Sequence, residues 1–330
     1  MRRLFFISLI ISNFCFSQSI DFADKRLEKE LLENFDGVLK SRMSSSNMDS
    51  NKNGKIEISE ALDVQEIQLY FKDDCFETLE DLKYFENLVA LKIELVPYSE
   101  TENILHLNLS DYSKLLYLEI NSSCIKSISV SKCAKLKSIL IRNYDGVNAV
   151  ELNGIADCEN LEELEIVGVS MNNLDLSFNK NLKKVSLSQF NEKVPCNVIF
   201  PNENKIETIG LENLTLINPI TLQNFAELKE LIVSHINFSD VSFESLNKMQ
   251  TFICVDSELK TIHFKENNNF KYIHICNNPL NEIEVNEQDL PNLVEFLVTT
   301  DIYDKLKEKY SEFSFFKKIK PVESMNCGIW

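Results

Sequence analysis

Residues 160–188 read NLEELEIVGVSMNNLDLSFNKNLKKVSLS. Counting the first apolar position as zero, Leu161, Leu164 and Ile166 stand at zero, three and five, and Leu182, Val185 and Leu187 repeat that spacing 21 residues later. A helix face returns every three or four residues and a strand face every two, so neither element alone produces this pattern. The unit is longer than one element and it recurs.

The same frame fits Leu88/Leu91/Ile93, Leu115/Leu118/Ile120, Leu136/Ile139/Ile141, Ile206/Ile209/Leu211, Leu228/Leu231/Val233, Met249/Phe252/Cys254, Phe270/Ile273/Ile275 and Leu293/Phe296/Val298. Ten units result, with starts 21 to 27 residues apart, inside the roughly 20–29 residues of a leucine-rich repeat. A second apolar beat follows each turn, as in Ile125/Ile128/Val130, Leu259/Ile262/Phe264 and Leu280/Ile283/Val285. One such coil cannot bury its apolar edge alone, but stacked coils pair their strands in parallel and merge the edges into one core. The expected fold is therefore an α/β repeat solenoid: a right-handed leucine-rich-repeat superhelix of about ten coils, with parallel strands on the concave face and a helical cap at each end.

Around this frame the chain divides into four parts: 1–17, 18–64, 65–300 and 301–330. Arg2 and Arg3 precede the apolar run Leu4 to Ile11 and then Cys15-Phe16-Ser17, the pattern of a secretory signal cut before Gln18. The run is too short for a membrane span, which needs about 20 apolar residues. Lipidation at Cys15 is a second reading, for which Ser12-Asn13-Phe14 is a poor lead-in. The whole chain carries a formal charge of −17; losing Arg2 and Arg3 takes it to −19, a sign that disfavours nucleic acid and anionic lipid as partners.

Eight cysteines follow the signal, in an order that gives no zinc spacing. Cys133 and Cys158 stand three residues before a first leucine, where other units have Phe85 and Phe225, so they read as small buried hydrophobes. Cys254 takes an inward aliphatic place. Cys75, Cys196 and Cys327 fall outside the regular interior positions, and no pairing among them is specified.

From Asp24 to Met43, Leu27, Leu31, Leu32, Phe35, Val38 and Leu39 recur at helical steps and predict an amphipathic helix covering the first coil. Asp49-Ser50-Asn51-Lys52-Asn53-Gly54-Lys55-Ile56-Glu57-Ile58-Ser59-Glu60 then matches an EF-hand loop. Asp49, Asn51 and Asn53 would supply oxygens at positions one, three and five, the Lys55 carbonyl at seven, Glu57 at nine and a bidentate Glu60 at twelve. Calcium is the expected ion, and three carboxylates with Lys52 and Lys55 nearby suggest a Kd of order 0.1–1 mM. Ile56 would pair with a second loop, but the sequence contains none. At the other end Asp301 is the expected cap of a helix carrying Ile302, Leu306 and Tyr310, with Phe313, Phe315, Phe316 and Ile319 sealing the last coil.

With its signal, N-terminal helix, NGKIEISEAL loop, ETLEDLKYFENLVALKIE and units such as NLDLSFNKNLKKVSLS, the chain resembles the secreted, internalin-like leucine-rich-repeat proteins of Bacteroidetes-type bacteria. The resemblance covers nearly the whole chain and implies adhesion or recognition outside the cell. Longer segments at 96–103, 143–149 and 189–204 depart from the family's regularity.

Catalysis has little to stand on. His106, His235, His263 and His274 lie in different repeats, without an HExxH pair, a GxSxG elbow or a phosphate loop. A binding protein is the better reading. Residues four and six after the first apolar position point away from the core, and they turn apolar late in the chain: Ile232/Ser234, Ile253/Val255, His274/Cys276 and Leu297/Thr299, with Tyr272 at position two. Ile232, Ile253, Val255, Tyr272, His274 and Leu297 are therefore the expected contact residues for another protein or cell-surface macromolecule. A homodimer, or a fold-back of the C-terminal cap, would cover the same residues. The alternative function is a structural envelope or matrix component without a specific ligand, for which the strip should be uniformly polar.

Overall fold

The computed structural model describes residues 18–33, 48–71, 75–95, 104–143, 150–169, 171, 173–190, 195–218, 220–237, 239–264, 269–286 and 289–323. The expected signal at 1–17, Phe35, Val38 and Leu39 of the N-terminal helix, and the tail from 324 with Cys327 lie outside these residues.

The apolar triplets dictate a strand in each unit. Along one path run β1 (Glu66–Phe71), β2 (Ala90–Leu95), β3 (Tyr117–Ser122), β4 (Ser138–Arg142), β5 (Glu163–Val167) and β6 (Lys184–Ser188), then β7 (Thr208–Leu216), β8 (Glu230–Ile236), β9 (Thr251–Val255), β10 (Tyr272–Cys276), β11 (Glu295–Thr299) and β12 (Ile319–Val322). Every neighbouring pair is parallel. The position-three residues form one unbroken row, Leu91, Leu118, Ile139, Leu164, Val185, Ile209, Leu231, Phe252, Ile273 and Phe296, flanked by Ile67 and Ile319. All are buried, each contributing about 1.5–3 kcal/mol of apolar transfer energy. The second beat builds shorter outer strands, Leu105–Asn108, Ile125–Ser129 and Glu151–Asn153 in one sheet and Asp240–Ser242, Thr261–His263 and Glu282–Glu284 in another.

Leaving the strand requires a sharp turn, and five units make it through a left-handed residue at position seven: Gly168, Asn213, His235, Asp256 and Asn277. Asn, Asp and His tolerate that region better than other side chains. Gly168 is required for a second reason, since a Cβ there would stand 2.1 Å from the Asn143 carbonyl oxygen.

Three residues before the first apolar position runs a ladder of donors. Tyr112 Oη donates to the Leu82 carbonyl, Cys133 Sγ to Leu109 at 3.0 Å, Cys158 Sγ to Val130 at 3.7 Å and Asn179 Nδ2 to Ile155 at 2.9 Å. Each adds a second hydrogen bond to a carbonyl of the preceding coil that already accepts the backbone N–H three residues on, a contact worth about 0.5–1.5 kcal/mol. Cys133 and Cys158 thus act as weak donors as well as small hydrophobes. Toward the C-terminus the interior becomes aromatic, with Phe243, Phe252, Phe264, Phe270 and Phe296 in edge-to-face and stacked contacts.

The ends differ from expectation in three places. α1 (Lys25–Glu33) and α2 (Ile58–Asp63) flank the N-terminal loop, with Leu27 and Leu31 buried as anticipated. α3 (Thr300–Tyr310) buries Ile302, Leu306 and Tyr310, but its N-cap is Thr299, and Asp301 lies in the first turn. The helix does not end the solenoid at 300, because Ile319–Val322 returns as β12 and extends the sheet beside β11. Pro321 on that outer strand needs no ladder donor, the place where a strand tolerates proline. Third, Cys75 is joined to Cys124, with Cα atoms 6.3 Å apart and 49 residues between them in sequence, and Cys276 is also disulfide-bonded. Cys196, grouped with Cys75 by its position in the sequence, is buried and free. Stacking sets the pairing, bringing a residue before β2 against the turn after β3.

Burial pushes the thiols of Cys133 and Cys196 up to about 11 and those of Cys158 and Cys254 up to about 12. At about pH 8 an alkylating reagent should leave all four untouched in the native chain and label them after unfolding. Replacing Cys75 and Cys124 together by alanine should lower unfolding free energy by about 2–4 kcal/mol in denaturant titrations. Native-state labelling of Cys133 or Cys158, or an unchanged titration midpoint, would contradict this packing.

Candidate functional site

At the N-terminal end the oxygen-rich loop folds around its own acidic groups. Asp49 accepts the N–H groups of Asn53 and Gly54 at 3.0 and 2.7 Å, and Glu60 Oε1 accepts the Ser50 amide and hydroxyl at 2.9 and 2.8 Å. Glu60 Oε2 takes the Glu57 amide at 3.0 Å, and Asn51 and Asn53 turn their amides onto the Glu57 carboxylate. Lys52 and Gly54 adopt left-handed backbone. Asp49, Glu57 and Glu60 are all buried. Burial raises the Glu60 pKa, but its contacts with Glu57, Ser50 and Asn51 outweigh that and hold it at about 2.

Among the described residues no three His, Cys, Asp or Glu side chains form a metal cluster by themselves. The three carboxylates of the loop need the Asn51 and Asn53 side-chain oxygens and the Lys55 carbonyl to make a complete shell. That donor set is all oxygen and gathered in one loop, which fits a hard divalent ion such as calcium. The partner of Ile56, absent as a second loop, is supplied by the chain itself: Ile20 N–H donates to the Ile56 carbonyl at 2.9 Å and Ile58 N–H to Gln18 at 3.0 Å.

From that pairing the segment runs on to the solenoid. Ala23 N–H donates to Asp81 at 2.7 Å, and the buried Asp24 carboxylate accepts the N–H groups of Arg26, Leu27 and Glu77. One aspartate thus caps α1 and ties it to the first coil, while a second, Asp81, holds the residue before it. Nothing in the apolar periodicity marks either residue, although a short polar side chain ahead of a helical run is an N-cap signal.

The second candidate is the concave face. Gly210, Ile232, Ile253, His274, Leu297 and Lys320 stand in register on six adjacent strands. Ile232, Ile253, His274 and Leu297 are half-buried and Tyr272 is 41% exposed. Burial lowers the His274 pKa against the opposing pull of Glu295, whose carboxylate lies 3.5 Å away. Earlier strands carry charges on the same face, with Lys92 and Glu119 paired at position four at 2.9 Å and Arg142 of position six reaching Glu165 of position four at 2.7 Å.

Val255 does not belong to this strip. It and Cys276 are buried, at 5% and 0% exposure, in a small cluster against which Ile253 and Val322 pack. Alternation puts Val255 on the concave side, as the sequence requires, yet it is buried beside the disulfide-bonded Cys276, and Val322 of the edge strand β12 packs against the same cluster. Position six is buried from Ser234 through Thr299, and position four carries the accessible apolar surface.

No family model matches the chain, and no curated protein matches it. Similar solved structures include internalin C2 of Listeria monocytogenes, 14% identical over 86% of this chain and 100% of that one with a TM-score of 0.39. Another is an internalin F from the same species, 11% identical over 84% and 95% with a TM-score of 0.33. The plant peptide hormone receptor RGFR1, solved in complex with RGF2, is 16% identical over 73% of this chain and 44% of that one, with a TM-score of 0.41. By its own strand register and repeat length, this protein is a leucine-rich-repeat solenoid. No catalytic family is indicated, and no helix among the described residues is long and apolar enough to cross a membrane.

For Asp24, burial raises the pKa, and the N–H groups of Glu77, Arg26 and Leu27 with the Arg26 guanidinium more than offset it, so the carboxyl lies below its ordinary value. A depressed folded pKa stabilises above the unfolded value of about 3.9 and loses that contribution as pH falls through the folded one. Asp24→Asn should cost about 1–3 kcal/mol at neutral pH. Thermal melts should show the gap from wild type narrowing below about pH 4; a gap independent of pH would remove the carboxylate from the clamp.

Proposed function

We propose that this protein is an exported recognition protein that binds another macromolecule through the apolar strip of its concave face, with calcium holding its N-terminal loop. The observation that carries the reading is the row Ile232, Ile253, His274 and Leu297 on adjacent strands beside exposed Tyr272. Parallel strands lie about 4.8 Å apart, so the row runs about 14 Å across the face, and an aromatic anchor such as Tyr272 set beside an apolar patch is what binding interfaces use. A matrix component without a ligand has no use for such a strip. Export is supported by the disulfide-bonded Cys75, Cys124 and Cys276, since such bonds persist in oxidising compartments, and by the signal-like residues 1–17.

Ile253→Asp and Tyr272→Ala are expected to keep the fold, with melting temperatures within a few degrees of wild type, because both side chains reach the surface. In pull-downs from the medium around the producing cell, wild type and the outer-face variant Ile199→Asp should recover the same species, and the two concave variants should lose it. Recovery by all four proteins would sink the reading.

The calcium part is tested by melting. An ion that binds only the folded chain adds RT ln(1 + [L]/Kd), about 1.8 kcal/mol for roughly 10 mM calcium over a 0.5 mM site. Wild type should melt higher in calcium than in chelator, and Glu60→Gln should not respond. Identical melting of wild type in both solutions would leave the loop as a hydrogen-bonded turn.

A further inference from the structure

Next to the apolar strip the concave face dips. Ser186 and Ser188 on β6, Thr208 and Gly210 on β7 and Ser234 on β8 are all small, and they floor a cavity of about 300 Å³. Its walls are unlike one another. On one side Arg142 and Glu165 neutralise each other, with Arg142 Nη2 and Nε donating to the same carboxylate oxygen at 2.7 and 3.1 Å. On the other stands Ile232, the first residue of the strip. Glu212 closes the end at position six. Among the described residues its carboxylate accepts only a 3.3 Å bond from the Ser188 hydroxyl, whereas the carboxylates Glu119, Glu165 and Glu295 of the same face each have a cation.

We infer that this cavity takes an arginine or lysine side chain from an extended segment of a basic partner protein. The inference rests on the concave-face reading and names the partner's chemistry. A single pocket near the low end of ligand-site volumes suits one long side chain better than a cofactor. The aliphatic stem lies over Gly210 against Ile232, and the cationic head meets Glu212, where a partly desolvated carboxylate forms a charge-assisted hydrogen bond. Gly210 makes room, because a Cβ there would already crowd Ser186 Oγ at 3.3 Å, and a larger side chain fills the cavity. Lys184, the remaining cation of the lining, sits at position two, four residues back from the level of Glu212. That is a backbone offset of about 13 Å along the strand. The formal charge of −17 favours the same partner at long range.

The test uses a capped, fluorescent hexa-arginine peptide and a hexa-glutamate control, with binding to the full chain followed by anisotropy at physiological salt. Wild type should bind hexa-arginine and not hexa-glutamate. Glu212→Gln and Gly210→Val should each weaken hexa-arginine at least tenfold, while Glu244→Gln, the same charge change off the concave face, stays within twofold. Equal weakening by Glu244→Gln, or no loss in either cavity variant, would show diffuse attraction and overturn the inference. So would failure of wild type to bind the arginine peptide. If Gly210→Val melts early, Glu212→Gln decides alone. The two readings separate: loss of this binding behaviour while Ile253→Asp still abolishes partner capture removes the cavity and leaves the strip.

Discussion

Backbone pairing between successive coils is the constraint on which the structure depends. A coil of 21 to 27 residues has too little interior to exclude water, and its strand has unpaired N–H and C=O groups on both sides. Stacking removes both problems at once, since each strand bonds to the next and each apolar triplet lies on the one before. The uninterrupted row from Ile67 to Ile319 shows that the register never slips, despite spacings that vary by six residues. Variation is absorbed outside the strands. Carbonyls at the turns bond to backbone N–H groups three residues on, and at four of them Tyr112, Cys133, Cys158 and Asn179 of the next coil add a second donor.

A stack has two ends, and the ends account for the less regular chemistry. At the start Asp24 and Asp81 bind a short segment to the first coil, and the same segment pairs with Ile56 of the oxygen-rich loop. An ion bound by that loop would therefore tighten a connection already made through buried carboxylates. At the finish α3 covers the interior and β12 adds one more strand to the edge of the sheet. What remains accessible on the concave face is position four, apolar in the later strands and small in the middle ones, so this face offers both an anchor strip and a recess.

Much of this was legible in the sequence because one rule, the zero–three–five spacing, acts identically in every unit. It located ten strands, the buried faces and the outward positions. The acidic loop was legible for a similar reason, as a local pattern of oxygen donors around Gly54. Three features were not. Cys124 and Cys276 reveal no partner, because pairing depends on how coils stack and not on local spacing. Residues 319–322 are too short, and Pro321 interrupts them, so they do not read as a strand until β11 is beside them. Val255 faces outward by alternation, and its burial beside Cys276 comes from packing that local spacing does not show. The trough over Gly210 is invisible for a further reason: it arises from small residues on three strands, none unusual alone.

The most direct measurement of the account is residue-resolved amide hydrogen exchange on the native chain. Alternate amides on every strand from β1 to β12 bond to the neighbouring coil, so they should exchange slowly and together, through one global opening. A zone of fast exchange between two adjacent strands, such as β6 and β7, would show that the coils do not form one continuous stack and would contradict the account.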